Sequence, residues 1–459
     1  MSALFPNRSV TRLPVGSLIA VAPPGAGKTT LLRAQLAQAG LTEDRIVCRD
    51  DLRARYGSTC RDLSHRAVPA SCMHNEDTVT GDAAAAANSH LVAGHTWLYD
   101  QTGCKEQFLR VEIERAHAQG LAAVALRRSG NDGAPDVSLD FCLGNNAARA
   151  RRVPNDVIAR MWDAYRGLSI ERLYALGFDL VVTWNEHTTF ELMPEGPDAR
   201  NVTADLAIVG DIHGCAETFL DRLLPALGTD RNLSNPDVVI VSAGDINDKG
   251  QHSVEMIRWW LWALRTGRAL MVHSNHNKSL LRGLTRPDFP RRGGLVATLA
   301  EIEAQPDAEQ LKADIIASFS RLPSHLVFRD HVVAHAAMTE DRLFRTDAKT
   351  ASFAIYTRYE KTPWEWTGTQ TLLHGHVVVD APTRRRAPAD PARPGHIPGD
   401  VIAIDTGAYH GGGLTAYLSA TGQTVTVPSA PGDQIAADDE AAMQAELVEA
   451  GILPAAGAA

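Results

Sequence analysis

The stretch "AIVGDIHGCAETF", residues 207–219, carries an apolar run into Asp211-Ile212-His213-Gly214. A carboxylate and an imidazole two residues apart at a strand end suit a divalent cation that works on phosphate. The same chain opens with "AVAPPGAGKTTLL", residues 20–32, a glycine loop of the kind that holds nucleotide phosphates. One polypeptide thus carries a pattern for adding a phosphate and another for taking one off.

At 459 residues the chain exceeds one typical domain and suits two or three. Hydrophobic residues make up 44% and charged residues 22%, an ordinary globular balance. A formal net charge of −9 argues against a basic surface that coats long nucleic acid, while a local grip on a nucleic-acid end stays open. The six cysteines (48, 60, 72, 104, 142 and 215) form no C-x-x-C pair and none follows residue 215. They read as reduced thiols of a cytosolic protein. No charged-then-apolar leader opens the chain, and no apolar run reaches the ~18 residues of a membrane span. The expectation is a cytoplasmic enzyme-like chain with no membrane partner.

An α/β fold follows from the alternation of strand-like and helical runs. In the first domain, 1–186, "SLIAVA", "RIVCRD", "HTWLYD", "LAAVALRR" and "FDLVVTW" read as strands of a parallel sheet. Residues 187–204 read as a linker, 205–430 as a second α/β domain, and 431–459 as an acidic, alanine-rich tail. The Pro- and Arg-rich segment 383–400 reads as an exposed loop.

"APPGAGKT" follows a strand and opens a helix, the setting a phosphate loop needs. Gly25, Ala26 and Gly27 let backbone N–H groups approach phosphates, Lys28 reaches their oxygens, and Thr29 and Thr30 stand by for Mg²⁺ and nucleotide. The next strand ends in "RDDLR", where Asp50 suits a base for an attacking hydroxyl and Arg53 an acceptor phosphate. A charged helix start is the other reading of the same residues.

"RDDLRARYG", "EDTVTGDAAAAANSHL", "LYDQTG" and "NNAARARRVPNDVIARMW" resemble, in order, the phage-type polynucleotide 5′-kinases over roughly residues 18–186. The resemblance implies ATP and Mg²⁺ as cofactors, Asp50 as general base, Arg53 and Asp100 as acceptor-site residues, and Arg149 and Arg152 as lid arginines. Asn145 stands where that family has a further lid Arg. On chemistry alone Arg149, Arg151 and Arg152 equally fit a solvated helix face.

Metal-ligand residue types recur in "GDIHG", "GDINDKG", "SNHNKS", "AHAAM" and "LHGHVV", with "AIDTGAYHGG" after them. Each follows an apolar strand, and two divalent ions about 4 Å apart clamp a phosphoryl group and generate a nucleophile. The series resembles the calcineurin-like binuclear metallophosphoesterases, and more narrowly the phosphatase domain of bacterial polynucleotide kinase-phosphatases. That resemblance implies an α/β sandwich and two divalent metals, Mn²⁺ foremost. It assigns Asp211, His213 and Asp245 to the first ion, and Asn275, His335 and His376 with a bridging Asp245 to the second. His276 becomes the proton donor, Asp405 a support, and Lys249 a phosphate contact where the family has Arg. "SNHN" replaces the usual "GNHD" or "GNHE", and His376 rather than His374 is taken as the ligand.

The two resemblances together imply an end-healing enzyme of the polynucleotide kinase-phosphatase family. It would phosphorylate 5′-OH ends and remove 3′ or 2′,3′-cyclic phosphate from RNA or DNA, with RNA repair as the setting and a separate ligase as partner. A homo-oligomer stays open. A rival is a small-molecule or nucleotide kinase fused to a protein or dinucleoside-polyphosphate phosphatase, kept alive by the −9 charge and Lys249. A second rival is an ATP-sensing domain that gates the phosphatase.

Overall fold

The computed structural model describes residues 10–55, 70–148, 153–358, 365–388, 392–393 and 395–434, side chains of 54–55 and 70–76 apart. Arg149, Arg151, Arg152 and the tail from 435 lie outside the described residues. The chain divides into two compact units, one of Val10–Glu195 with Arg265–Gly267, the other formed mainly of Gly196–Leu264 and Arg268 onward.

In the first unit five parallel strands run in the order Ile46–Cys48, Trp97–Asp100, Gly16–Val21, Ala122–Arg128, Leu180–Trp184. All six residues of the central strand Gly16–Val21 are buried. Its side chains alternate between two cores. Leu18 and Ala20 join Leu98, Val124 and Leu126, while Ile19 and Val21 join Val47, Tyr99 and Ala125. A strand covered on both faces reads as an unbroken apolar run, which is what "SLIAVA" is.

The second unit holds two five-stranded sheets. One has the order Ala269–Met271, Val238–Ser242, Asp205–Val209, Gly413–Leu418, Gln423–Pro428, and the first three strands are mutually parallel. The other has the order His325–Val327, His331–Ala334, Thr371–His374, Asp400–Ala403, Thr383–Arg386, and its middle three are parallel. Helix Ser253–Arg265 packs Trp259 and Trp260 beside Phe219 in the largest core.

Three expectations need correction. The 187–204 linker contains strand Phe190–Leu192, which pairs in parallel with Thr11–Leu13. Arg12 Nε donates to Glu191 at 2.9 Å across that pair, both side chains buried. Strands of three residues are too short to show alternation. The 383–400 loop begins as strand Thr383–Arg386, antiparallel to Asp400–Ala403, because Asp400 neutralises Arg386 at 2.6 Å and Arg384 at 3.3 Å. The tail does not start at 431, since Asp433 is fully buried. Its carboxylate accepts from Thr218 N at 2.6 Å, Thr218 Oγ1 at 2.7 Å and Glu217 N at 3.3 Å. Among the described residues no helix is long and apolar enough to cross a membrane.

Asp433→Ala strands the buried Thr218 donors and should cost about 1–3 kcal/mol. Denaturant unfolding checks this, and an unchanged midpoint would return residue 433 to the tail.

Candidate functional site

Two parallel strand triplets deliver the residues of the second unit's site from their C-terminal ends, the usual place for ligands in open α/β sheets. Asp205–Val209 leads to Asp211 and His213, Val238–Ser242 to Asp245, and Ala269–Met271 to Asn275 and His276. From the other sheet, His331–Ala334 leads to His335, Thr371–His374 to His376, and Asp400–Ala403 to Asp405.

Asp245 lies at the centre. Its Oδ2 is 3.5 Å from His213 Nε2, 3.5 Å from His335 Nε2 and 3.9 Å from His276 Nε2. Ligand-capable atoms of His213, Asp245 and His276 lie within 4.8 Å of one another, as do those of Asp211, Asp245 and His335. Both groups share Asp245, and the His335 nitrogen that stands 4.0 Å from Asp211 Oδ1 is Nδ1. Asn275 Oδ1 and His376 Nδ1 approach His335 Nε2 at 2.7 and 3.1 Å. His374 is buried with Nδ1 on Gly375 O and stays outside both groups.

The imidazoles are aimed from behind. His213 Nδ1 donates to Asn247 O at 3.1 Å and His335 Nδ1 to Ala243 O at 3.0 Å. Each bond spends one ring nitrogen on the backbone and turns the other toward Asp245, as in metal-binding histidines.

This donor set fits divalent cations. Asp211 Oδ1 is buried with no hydrogen-bond donor. Gly375 leaves it room, for a Cβ there would stand 1.9 Å from that oxygen. Burial, then the charges of Asp405 and Asp245, push the Asp211 carboxyl well above the usual range, and burial raises Asp405 too. Burial also opposes ionisation of Asp245, but His335, His276 and His213 hold its pKa below the ordinary value. Burial lowers His213, His335 and His376, the last to about 3, which keeps them neutral ligands. Carboxylates and imidazoles with one amide oxygen are the ligand types of Mn²⁺, Fe or Zn²⁺.

A cavity of about 270 Å³ opens on this cluster, lined among others by Lys249, Arg358 and Tyr409. Lys249 Nζ donates to Tyr409 OH at 3.0 Å and lies 3.2 Å from His213 Nε2. Burial works against its charge, yet Tyr409, Asp245 and Asp405 raise its pKa. Sequence reasoning missed three residues here. Asp248 Oδ2 holds His276 Nδ1 at 2.7 Å, and Asp248 Oδ1 accepts from Thr298 Oγ1 at 2.6 Å and Asn247 Nδ2 at 2.9 Å. Burial would lower His276, but Asp245 and Asp248 raise it above the ordinary histidine value, which suits a proton donor. Asp248 and Tyr409 stood inside quoted motifs and could have been found there; Arg358 had no motif. Asn277 is buried with its Nδ2 toward Met271 Sδ, so the flanking Asn takes no part in holding His276.

The first unit brings together most of its expected residues. Gly25 and Gly27 adopt φ +81° and +90°, and Gly27 caps a π-type turn Lys28–Leu32 that continues as helix Arg33–Gln38. A Cβ at Gly25 would stand 2.2 Å from Cys142 O, so only glycine fits. Lys28 Nζ donates to Ala22 O at 3.0 Å and Pro23 O at 2.8 Å. A cavity of about 770 Å³ is lined by Lys28, Thr29, Thr30, Asp50, Arg53 and Asp100 among others. Ala26 is buried beneath the loop, where its carbonyl accepts from Arg128 Nε at 3.1 Å. Asp50 sits in the first turn of helix Arg49–Arg55, not at a strand end, and accepts from Arg53 at 2.6 Å. Asp100 is bound by Arg33 Nε at 2.7 Å, and Arg33 also reaches Asp51 at 3.0 Å, a bridge the sequence reading lacked. Asn145, in the position of a lid Arg, instead donates to Gly25 O at 2.8 Å and braces the loop. Cys48, Cys104, Cys142 and Cys215 are free thiols, and burial raises Cys48 and Cys104 to about 11.

A family model of calcineurin-like phosphoesterases matches residues 204–342. The asymmetrical bis(5′-nucleosyl)-tetraphosphatase PrpE of Bacillus cereus is 31% identical over 243 residues, 48% of this chain and 93% of that protein. The same-named protein of Bacillus mycoides is 31% identical over 244 residues, again 48% and 93%. The chain belongs, through its C-terminal half, to the calcineurin-like phosphoesterases. A solved metallophosphoesterase from Sphaerobacter thermophilus is 16% identical with a TM-score of 0.30, covering 55% of this chain and 95% of that one. The phosphoesterase match takes in Asp211, His213, Asp245, Asn275, His276 and His335, while His376 and Asp405 follow it.

Asp248→Asn keeps the size of the group and removes the charge that supports His276. Phosphatase turnover should fall about 10²-fold, the lower range for a mispositioned general acid. Turnover on p-nitrophenyl phosphate with Mn²⁺ is the measurement, and wild-type rates would make Asp248 a structural buttress alone.

Proposed function

We propose that this chain is a two-site phosphate enzyme, a two-metal phosphohydrolase of nucleotide-borne phosphate joined to an ATP-dependent kinase. The observation that carries the hydrolase is Asp245, whose Oδ2 lies 3.5 Å from both His213 Nε2 and His335 Nε2. Two divalent ions, when bound, supply charge for the phosphoryl group and an acidified water. The chain's own residues do the rest. Lys249 and Arg358 offer cations to the phosphate oxygens from the cavity wall. His276, braced by Asp248, gives a proton to the leaving oxygen.

Relatives named as asymmetrical bis(5′-nucleosyl)-tetraphosphatases favour a dinucleoside polyphosphate as substrate of the hydrolase. In the kinase, Lys28 and Thr29 would hold ATP and Mg²⁺ while Asp50 takes the proton of the acceptor hydroxyl. A second reading, the healing of RNA or DNA ends before a separate ligase acts, is favoured by one observation. Asp50 and Arg53 line the same cavity as Lys28 and Thr29, where a 5′-hydroxyl and its neighbouring phosphate would sit.

Diadenosine tetraphosphate with Mn²⁺ should be cleaved, and Asp245→Ala should abolish this together with hydrolysis of 3′-phosphate oligonucleotides. Lys28→Ala should leave hydrolysis intact and abolish labelling of a 5′-OH oligonucleotide or nucleoside from labelled ATP. Asp50→Asn should slow that transfer by roughly 10²–10⁴ without weakening ATP binding. Loss of both activities in a folded Lys28→Ala protein would overturn the two-site reading. Cleavage of 3′-phosphate ends in preference to the tetraphosphate would move the assignment to end healing.

A further inference from the structure

The ammonium of Lys249 stands on an atom that a cation needs. Its Nζ is 3.2 Å from His213 Nε2, and it also bonds Tyr409 OH at 3.0 Å and lies 4.2 Å from that ring's centroid. His213 has no other lone pair to offer, because its Nδ1 is committed to Asn247 O. Nor can the ring turn freely, since it is boxed edge-on by His276 at 4.8 Å and Tyr409 at 4.9 Å between centroids.

The backbone keeps the lysine there. Asp248 and Lys249 both adopt left-handed conformations, φ +69° and +65°. Gly294, opening helix Gly294–Glu303, presses so close that a Cβ would stand 2.6 Å from Lys249 N. The far side of Asp245, where His335 Nε2 meets Asn275 and His376, has no hydrogen-bonded lysine or arginine nitrogen among the described residues.

We propose that Lys249 makes the two cation positions unequal. The ammonium is a built-in competitor for the His213 side, so one divalent ion binds tightly on the far side of Asp245, beside His335 Nε2, Asn275 and His376. A second binds weakly beside His213, and only as Lys249 withdraws. One lone pair cannot serve an ammonium and a metal at once, and two cations a few ångströms apart in a buried site repel strongly. A withdrawn ammonium gains a new partner in a substrate phosphate, so the second ion and the substrate favour each other's binding.

The inference rests on the two-ion reading of the site, and Mn²⁺ titration of the full chain without nucleotide tests it. Calorimetry and Mn²⁺ paramagnetic resonance would both report binding, and the class lost in His213→Gln identifies the His213 side. In the wild type that class should be weaker than the other by about tenfold or more. Lys249→Met and Lys249→Gln should each tighten it by a similar factor while the tight class stays put. Two equal classes in the wild type, or a His213 class unmoved in both lysine variants, would overturn the inference and leave the two-ion site standing. No bound Mn²⁺ at all would overturn the two-ion reading and this inference with it.

Discussion

Around Asp245, like charges that repel one another are held within a few ångströms on side chains that expose almost none of their surface, and the C-terminal unit is arranged to tolerate this. Asp211, Asp245 and Asp405 are nearly fully buried, as are His213 and His335. Carboxylates taken out of water protonate or find a cation. Lys249 alone cannot neutralise three of them, which is why burial drives Asp211 upward while the imidazoles pull Asp245 down. Divalent ions resolve that conflict in one step, so the donor set and its charge imbalance are two views of one requirement.

Holding such a cluster takes backbone that ordinary residues avoid. Of the six non-glycine residues with positive φ among the described residues, His213, Asp245, Asp248, Lys249 and His376 belong to this site. Each left-handed residue costs on the order of 1 kcal/mol or more, and such strain persists only where the surroundings over-determine it. Here the surroundings are hydrogen bonds: His213 N and Ile212 N both donate to Asp245 O, and Gly250 N to His213 O. The loops thus lock one another, and glycines at 244, 250 and 375 sit where a Cβ would collide with His335, the His213 carbonyl or Asp211. The strain aims side chains inward from loops that would otherwise run past the site.

The sequence was most informative where chemistry and strand periodicity coincide. Asp211, His213, Asp245, Asn275, His276, His335 and His376 were legible because each follows an apolar strand, and the structure gathers them. The glycine turn between strand Gly16–Val21 and the turn Lys28–Leu32 was legible from the spacing of Gly25 and Gly27. What escaped had no local signature. Asp433 looks like one more acid in an acidic run, and only a partner 215 positions away makes it part of the core. The Thr11–Leu13 and Phe190–Leu192 strands are identified by each other, across 179 positions, through the Arg12–Glu191 pair. Asp50 was placed at a strand end because "RIVCRD" stays apolar up to Cys48, but helical turns begin at Arg49. Arg358 reaches its cavity from a segment with no pattern at all.

The two cavities solve one problem, a phosphate in a protein, by opposite means. In the first unit Lys28 stands at the head of a helix, and Asp50 and Asp100 of the same cavity are each tied to an arginine. On the proposed kinase reading, such a site would bind an anion directly. In the second unit the carboxylates of Asp211, Asp245 and Asp405 crowd the site, and divalent ions, when bound, would offset them for an incoming anion. On the proposed kinase reading, the first site would need only a nucleotide bringing its own Mg²⁺. The second depends on ions for its affinity as well as its chemistry. Lys249 and Arg358 at the cavity wall are the only lysine and arginine that line it among the described residues. Their small number explains how Lys249, where the resembled family has an arginine, can reach beyond phosphate contact: with so few cations on the cavity wall, the placement of a single ammonium bears on where divalent ions would sit.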